Sequence, residues 1–425
     1  MENFFQRFRL FEISLFIFCG FPLLIHLKVK AIAAIVFVLI QVILIIYGYR
    51  SKKADGALLP TIMVLPFFIL TFSLLYSDNL LDGVKTMERF TLILLVPWLF
   101  YFNRAYITEN TVKLVTLYFS VILSILTFIT LYKLAGNAIF WNVIGMENSY
   151  YYLKERVESI SGLHPTYYSL YLAICIVSIV HFYIIDPKKH YKTPFIILII
   201  ILVLGLIAAS SKMLIIATFI SVIYILWNGL SNIKSFIKVL SLITIFMVAT
   251  FLTIKPTRQR FTEFYSVVSS TAIDETKPDG MRRVIFKSTW KAIAKNYLFG
   301  TGLGDEQEEL NRVYKNNDYE EAYHKEYNTH NQYLNFLLIA GIPALVALIF
   351  MLGAHFIIAE TTKDHLYIAI MILFVFSMLS ENILNRQDGI FVYAFFTALL
   401  PFAALKNRRY KFEKKENILS RMFLK

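Results

Sequence analysis

One histidine in the last third of the chain lies among an unusual density of polar side chains. His330 has several polar neighbours close in sequence: His324, Glu326, Asn328, Thr329, Asn331 and Gln332. A neutral imidazole near pH 7 accepts a proton from a hydroxyl group, which is the role of a general base. A lone histidine at a helix start more often caps or packs, but this setting predicts a site in which His330 is the base and Asn331 contributes to binding.

A basic segment precedes this histidine. Four cations recur every fourth residue beside four apolar residues: Arg283, Lys287, Lys291 and Lys295, and Phe286, Trp290, Ile293 and Tyr297. The spacing predicts an amphipathic helix, which lies either on the membrane surface or against other helices with a solvated basic face. Because arginine binds two phosphate oxygens at once, Arg282 or Arg283 is predicted to bind an anionic lipid head, with Lys287 nearby.

A glycine-rich turn, FGTGLGD, follows at residues 299–305. No strand is predicted before it, so it is not a typical nucleotide-binding loop, and we expect a flexible turn. The charges around it are divided, because 255–295 carries nine Lys and Arg against four acids, and 296–332 carries three against eight. The simplest arrangement pairs these basic and acidic arms with each other.

The amino-acid composition indicates the class of protein that positions these side chains. Of 425 residues, 57% are hydrophobic and 17% are charged, and the mean hydropathy is +0.60. A soluble globular protein carries about a quarter charged residues and a disordered chain is less hydrophobic, so both classes are excluded. We predict an all-α polytopic membrane protein with about twelve spans, near 10–27, 31–49, 57–76, 90–103, 112–134, 165–185, 194–209, 212–227, 237–254, 333–358, 366–380 and 390–405.

The net charge of +13 is explained by membrane topology and not by nucleic-acid binding. With a cytoplasmic N-terminus, the inner segments carry 21 Lys and Arg and the short outer segments carry eight. The positive-inside rule therefore places both termini in the cytoplasm. The predicted organisation is a membrane domain of nine spans (1–254), an outer catalytic loop (255–332), three more spans (333–405) and a basic tail (406–425) that contacts anionic membrane lipids.

Five more ionisable residues near span ends share the outer side with His330: Arg156, His164, Lys212, Glu381 and Arg386. Ionisable groups at membrane depth are costly, so they are candidates for function, although side chains near span ends can reach water. We interpret all five as candidates for substrate binding. The outer segments contain no Asp-x-Asp motif, and we expect neither a metal ion nor a cofactor.

Several motifs together resemble those of the O-antigen ligase and O-antigen polymerase superfamily. His330-Asn331 is followed nine residues later by Gly341, while Ala344 stands where the family usually has Gly, Thr or Tyr. Further matches are GLHPTYYS at 162–169, RRVIF and FGTGLG around the basic segment, and SENILNRQDG near the C-terminus. The likeness covers most of the chain, including the number of spans and the long outer loop.

The resemblance implies a GT-C-like glycosyltransferase of the bacterial inner membrane, with its large loop in the periplasm. Its donor would be a glycan on undecaprenyl pyrophosphate, and its acceptor the lipid A-core or a similar glycolipid. Transfer would invert the anomeric centre without a metal. His330 would activate the acceptor hydroxyl, and Arg282 or Arg283 would bind pyrophosphate. Lys212 stands where the family often has arginine, and lysine lacks the bidentate geometry.

Two other functions stay open. A polymerase would use another lipid-linked repeat as its acceptor, and only the acceptor separates it from a ligase. A flippase or other transporter of lipid-linked oligosaccharides is expected to carry charged residues at the centres of its spans. Here the span centres are nearly free of charge and polar groups collect at the outer side, which favours an enzyme.

Overall fold

The computed structural model describes residues 2–20, 27–47, 57–137, 149–185, 192–230, 232–253, 258 and 278–423. Within these ranges the chain is helical and contains no strand. The first ten helices are α1 Glu2–Cys19, α2 Leu27–Tyr47, α3 Leu58–Phe72, α4 Leu80–Phe102, α5 Glu109–Ala135, α6 Ser149–Ser161, α7 Pro165–Ile185, α8 Lys192–Ala209, α9 Lys212–Gly229 and α10 Ile233–Thr253. Six more follow: α11 Pro278–Lys295, α12 Glu306–Lys315, α13 Glu320–His324, α14 Gln332–Thr362, α15 His365–Met378 and α16 Gln387–Phe423.

Several of these helices are long and apolar enough to span a membrane. Seven stretches of the described chain meet both criteria: Val29–Tyr47, Leu58–Tyr76, Glu109–Ala135, Pro165–Tyr183, Lys212–Gly229, Gln332–Thr362 and Gln387–Asn407. Thr193–Ala209 and His365–Met378 are apolar but shorter. The prediction of an all-α membrane protein is therefore confirmed, whereas the count of twelve spans stays a prediction.

Two helices differ in extent from the spans predicted for them. The span placed at 90–103 is the second part of α4, which begins at Leu80 because the Asn79 side chain accepts a hydrogen bond from the Asp82 N–H at 3.2 Å. The first turns of this helix carry charged residues, so a search for apolar runs does not detect where the helix begins. The span placed at 10–27 is also shifted, since α1 begins at Glu2 and ends at Cys19.

Helix α7 lies at the centre of the bundle, where it packs against α5, α8, α9 and α15. Its tyrosines Tyr168 and Tyr171 are completely buried. The Tyr168 hydroxyl donates to Thr127 Oγ1 at 2.7 Å, and the Tyr171 hydroxyl donates to the Asp388 carbonyl at 2.7 Å. These bonds satisfy hydroxyl groups that would be costly to bury without partners.

Two contacts between distant segments match the predicted grouping of span ends. Lys30, on α2, forms a buried ion pair with Asp388, on α16, at 2.8 Å. Elsewhere, the Asn407 amide donates to the Glu109 carboxylate at 2.8 Å. The first contact joins two segments predicted to lie outside (28–30 and 385–389), and the second joins two predicted to lie inside (103–113 and 406–425).

The predicted amphipathic helix is present as α11, but its apolar stripe is divided. Phe286, Trp290 and Tyr297 are about half exposed, whereas Ile293 is buried. The helix has a second apolar face that packs on α12 and α14 and consists of Met281, Val284, Ile285, Ala292 and Ile293. The sequence pattern grouped Ile293, which belongs to this buried face, with Phe286, Trp290 and Tyr297, which are exposed.

An ion pair joins the basic and acidic arms. Lys295, at the end of α11, forms an ion pair with Glu309 on α12. Glu309 also accepts from Arg312 of its own helix at 2.7 Å. This contact agrees with the predicted pairing of the arms, and it holds α11 and α12 together beside the helix that follows His330.

The turn at 299–305 is fixed by hydrogen bonds, so the prediction of a flexible turn is wrong. The Gly302 N–H donates to the Ile339 carbonyl at 2.8 Å, and the Ile342 N–H donates to the Tyr297 carbonyl at 3.1 Å. These bonds form because α14 is broken at Gly341, whose φ is +67°. Backbone groups that lose their partners inside the helix therefore find new ones in the turn.

The same turn is also fixed to the segment between α3 and α4. The Asp305 carboxylate accepts from the Ser77 hydroxyl and from the N–H groups of Asp78 and Asn79, each at 2.8 Å. The backbones approach so closely that a Cβ added at Gly304 would lie 1.9 Å from the Asn79 carbonyl oxygen. We call the three segments 76–79, 299–305 and 339–342 together the glycine junction.

Candidate active site

The backbone at His330 has an uncommon conformation. Its φ is +45°, in the left-handed region that residues other than glycine rarely adopt. The His330 N–H donates to Asn328 Oδ1 at 2.9 Å, which stabilises the turn. Asn331 then caps α14, since its side-chain oxygen accepts from the N–H groups of Tyr333 and Leu334, both at 3.0 Å. The position of His330 is therefore set by the loop and by the start of α14.

The imidazole of His330 contacts a buried carboxylate. His330 Nδ1 lies 3.4 Å from Glu381 Oε2, and the side chains are 27% and 5% exposed respectively. If Nδ1 carries the proton and donates it to Glu381, Nε2 is the acceptor nitrogen of the neutral ring. The arrangement supplies an oriented base whose second nitrogen can take a proton from a hydroxyl group.

Glu381 lies between α15 and α16, outside both apolar helices, and its pKa is lowered to about 2. Burial alone would raise the pKa, but the hydrogen bond and charge of His330 and the charges of His164 and Arg282 lower it by more. The carboxylate is therefore ionised throughout the neutral range. It can hold the imidazole and stabilise the positive charge that the ring gains when it accepts a proton.

Other candidates from the sequence join this pair. The pKa of His164, just before α7, is lowered to about 4, mainly by burial and then by the charge of Lys154. Glu381, Arg386 and His330 also influence this pKa through their charges, so these groups lie near one another. The structure thus brings together five predicted residues: His330, Glu381, His164, Arg282 and Arg386.

The remaining predicted residues lie elsewhere in the structure. Arg283, half-buried, and Lys287, exposed, lie on α11, and Lys212 is the first residue of α9. Arg156, on α6, donates to the Tyr152 hydroxyl at 3.3 Å and lies over its ring. No described contact joins Lys287 or Arg156 to His330 or Glu381.

Asn382, which follows Glu381 in the SENILNRQDG motif, was given no role from the sequence. Its Oδ1 accepts from the Thr329 hydroxyl at 2.9 Å. Its Nδ2 is buried and makes no hydrogen bond to any residue that the structure describes. A buried amide without a partner costs free energy, so this donor is available to a ligand or water.

A polar cavity of about 610 Å³, lined partly by Asn328 and Arg386, adjoins the His330 group. One part of its lining comes from the first turns of α4, including Lys85 and Arg89, and another part from α12, including Gln307 and Asn311. The sequence assigned the α4 residues to an outer loop and gave them no role. The three- and four-residue spacing of Asp82, Lys85 and Arg89 is the signal that would have placed them on one helix face.

Among the described residues, no group of three or more His, Cys, Asp or Glu side chains is arranged to hold a metal ion. The polar groups that converge near His330 are imidazoles, carboxylates, guanidiniums and amides. They can exchange protons and bind hydroxyl or phosphate groups.

We expect the thermal unfolding temperature of the purified protein to fall between about pH 4.5 and pH 2, and Glu381→Gln to remove part of this fall. A carboxyl whose pKa is lower in the folded protein stabilises the fold above its ordinary value of 4.5, and this stability is lost as the pH falls towards about 2. The contribution is on the order of 1–3 kcal/mol.

The control for this measurement is Glu321→Gln, since Glu321 is 42% exposed and pairs with Lys325 at the surface. This variant should follow the wild-type pH dependence, because exposed ion pairs contribute little. An identical fall in the wild type and in Glu381→Gln would contradict the assignment of a stabilising carboxylate.

The structure defines a multi-span helical membrane protein with a polar site where α14, α15 and α16 meet. Residues 197–349 match the Wzy_C family model, which describes an O-antigen ligase. The match runs from α8 into α14 and includes His330, Arg282 and Arg283. It covers about a third of the chain and supports the O-antigen ligase family, as the motif at His330 predicted. No curated protein matches the chain.

Proposed function

We propose that the protein is an O-antigen ligase-like glycosyltransferase. It moves a glycan from undecaprenyl pyrophosphate to the lipid A-core, or to a similar glycolipid, at the periplasmic face of the bacterial inner membrane. The observation that carries this proposal is the contact of His330 with the buried Glu381 carboxylate, beside the charges of Arg282 and Arg386. The match to the ligase family model gives independent support.

The chemistry assigns one role to each group. His330 Nε2 accepts the proton of the acceptor hydroxyl, whose oxygen attacks the anomeric carbon of the donor. The bond from that carbon to the pyrophosphate oxygen breaks, and its electron pair leaves with the pyrophosphate. Arg282 and Arg386 stabilise the negative charge that develops there, as preorganised cations do in a site protected from water. Attack from the face opposite the leaving group inverts the anomeric centre.

The proposed orientation follows from the charges. Because 21 Lys and Arg lie in the segments assigned to the cytoplasm, we place both termini there and the His330 site in the periplasm. In this orientation the exposed residues Phe286 and Trp290 of α11 are available to the outer leaflet, with Lys287 able to reach lipid phosphates.

The proposed function can be tested by analysing the glycolipids of a strain that lacks this protein. We expect uncapped acceptor glycolipid on an envelope gel, together with a long polymer that remains attached to the polyprenyl lipid. Acceptor capped by a single repeat would instead indicate a polymerase. Repeats retained on the cytoplasmic leaflet would indicate a flippase and would overturn the proposal of an enzyme.

A further inference from the structure

The cavity beside His330 has a size and lining that suit a specific class of ligand. Its volume of about 610 Å³ falls in the range of small-molecule sites. Six carboxamide side chains line it: Asn79, Gln307, Asn311, Asn328, Asn335 and Asn385. A carboxamide both donates and accepts hydrogen bonds, and so does each hydroxyl group of a sugar. The lining therefore matches a ligand that is rich in hydroxyl groups.

Several of these amides are held in place by their neighbours. Gln307 Nε2 donates to Asn311 Oδ1 at 3.0 Å on the face of α12. On α14, Gln332 Nε2 lies 3.4 Å from Asn335 Oδ1 and 3.3 Å from Asn385 Oδ1. Because these partners fix the side chains, less conformational freedom is lost when a ligand binds.

The charges of the cavity do not favour a pyrophosphate. Lys85 is paired with Asp82 at 2.7 Å, and Arg89 lies near the Glu306 carboxyl. The pKa of Glu306 is raised to about 8, mainly by burial, so this group is largely neutral at pH 7. Arg386 also lines the cavity, but so do Glu308 and Glu326, and the lining therefore holds three cations against four acids. Because the cations are not in excess, the cavity suits an uncharged part of a substrate.

The cavity is continuous with the reacting group. Asn328 lines the cavity and also accepts a hydrogen bond from the His330 N–H at 2.9 Å. Arg386 lines the cavity and acts on His164 through its charge. A sugar chain with its reacting end at His330 can therefore extend directly between α4 and α12.

We propose that this cavity binds a short, uncharged, hydroxyl-rich stretch of glycan next to the bond that is formed, through the carboxamides of Gln307 and Asn311. This inference rests on the proposed function. The glycan that binds can belong either to the donor or to the acceptor, and the test distinguishes these two sources.

The test measures binding to the purified full-length protein in nanodiscs with three probes. The donor probe is the oligosaccharide released by mild acid from the lipid-linked pool of the producing strain. The acceptor probe is the deacylated glycolipid of a strain that lacks this protein. The third probe is undecaprenyl pyrophosphate without sugar.

We expect Asn311→Ala and Gln307→Ala each to weaken binding of one oligosaccharide by about tenfold and to leave undecaprenyl pyrophosphate binding unchanged. The oligosaccharide that is affected identifies the source. The matched control is Asn316→Ala, since Asn316 is an exposed asparagine at the end of α12 that does not line the cavity. An unchanged unfolding temperature shows that each variant is folded.

Three results would overturn the proposal. The first is wild-type affinity of both variants for both oligosaccharides, and the second is no binding of either oligosaccharide by the wild type. The third is a loss confined to undecaprenyl pyrophosphate, which would make the cavity a phosphate site. His330→Ala separates this inference from the proposed function. It should keep oligosaccharide affinity while transfer stops, so normal transfer in that variant rejects His330 as the catalytic base without affecting the sugar site.

Discussion

Replacing His330 with alanine should abolish transfer of the glycan while the protein remains folded and inserted. In the proposed mechanism the variant lacks the nitrogen that accepts the proton from the acceptor hydroxyl, and general-base catalysis contributes about 10²–10⁴-fold to a rate. The imidazole is partly exposed and lies outside the apolar core, so the fold should survive, but loss of its contact with the buried Glu381 carboxylate should lower stability by about 1–3 kcal/mol. Two quantities are measured. They are the surface polysaccharide of a complemented deletion strain and the amount of membrane-inserted protein on an immunoblot.

His324→Ala is the control for this variant. His324 lies on α13, six residues before His330; its side chain is 71% exposed, and its Nε2 lies 3.2 Å from the Glu320 carboxylate of the same helix. Its loss should leave the polysaccharide unchanged. Normal polysaccharide in His330→Ala would show that His330 is not the base, whatever the family resemblance suggests.

Replacing Gly341 with alanine should disrupt the glycine junction and leave little folded protein. An added Cβ would lie 2.1 Å from the Leu298 carbonyl oxygen, and the φ of +67° is strained for any residue with a side chain. Gly300 is equally restricted, since its Cβ would lie 2.4 Å from the Ile339 carbonyl group. Because backbone and not a flexible side chain blocks the space, we expect each change to cost at least about 3 kcal/mol.

The measurements are the amount of protein extracted from membranes and its thermal unfolding temperature in detergent. Gly353→Ala is a matched control on the same helix, because a Cβ there meets nothing within 4 Å. This control should be neutral or slightly stabilising, since alanine favours a helix over glycine. Equal unfolding temperatures for Gly341→Ala and Gly353→Ala would show that the junction does not hold the loop to α14.

The sequence predicted the fold class because membrane helices are visible as long apolar runs. It failed where a helix begins with charged turns, as α4 does at Leu80, and where apolar residues belong to two faces, as Phe286 and Ile293 do on α11. It also failed at the glycine turn. The partners that fix this turn, such as Asp305 with Asn79, are more than 200 residues apart in sequence.

The site was predicted residue by residue but not as an arrangement. Polar residues at span ends identified His330, His164 and Glu381 one at a time. Their grouping depends on how α7, α14 and α15 pack, which no local pattern contains. The cavity was missed for a related reason, since its walls come from α4 and α12, and neither has a pattern that indicates binding until the two helices face each other.

The glycine junction also constrains how the protein is made. Its three segments leave the ribosome at different times, because 76–79 is synthesised long before 339–342. At about 5–20 residues per second, the first segment waits for roughly ten seconds or more before its last partner exists. During that interval the polar ends of α3 and α4 must remain without the turn that later binds them. The His330 group is completed later still, because Glu381 and Arg386 follow α14 in the chain. A chain interrupted before them therefore lacks the candidate site.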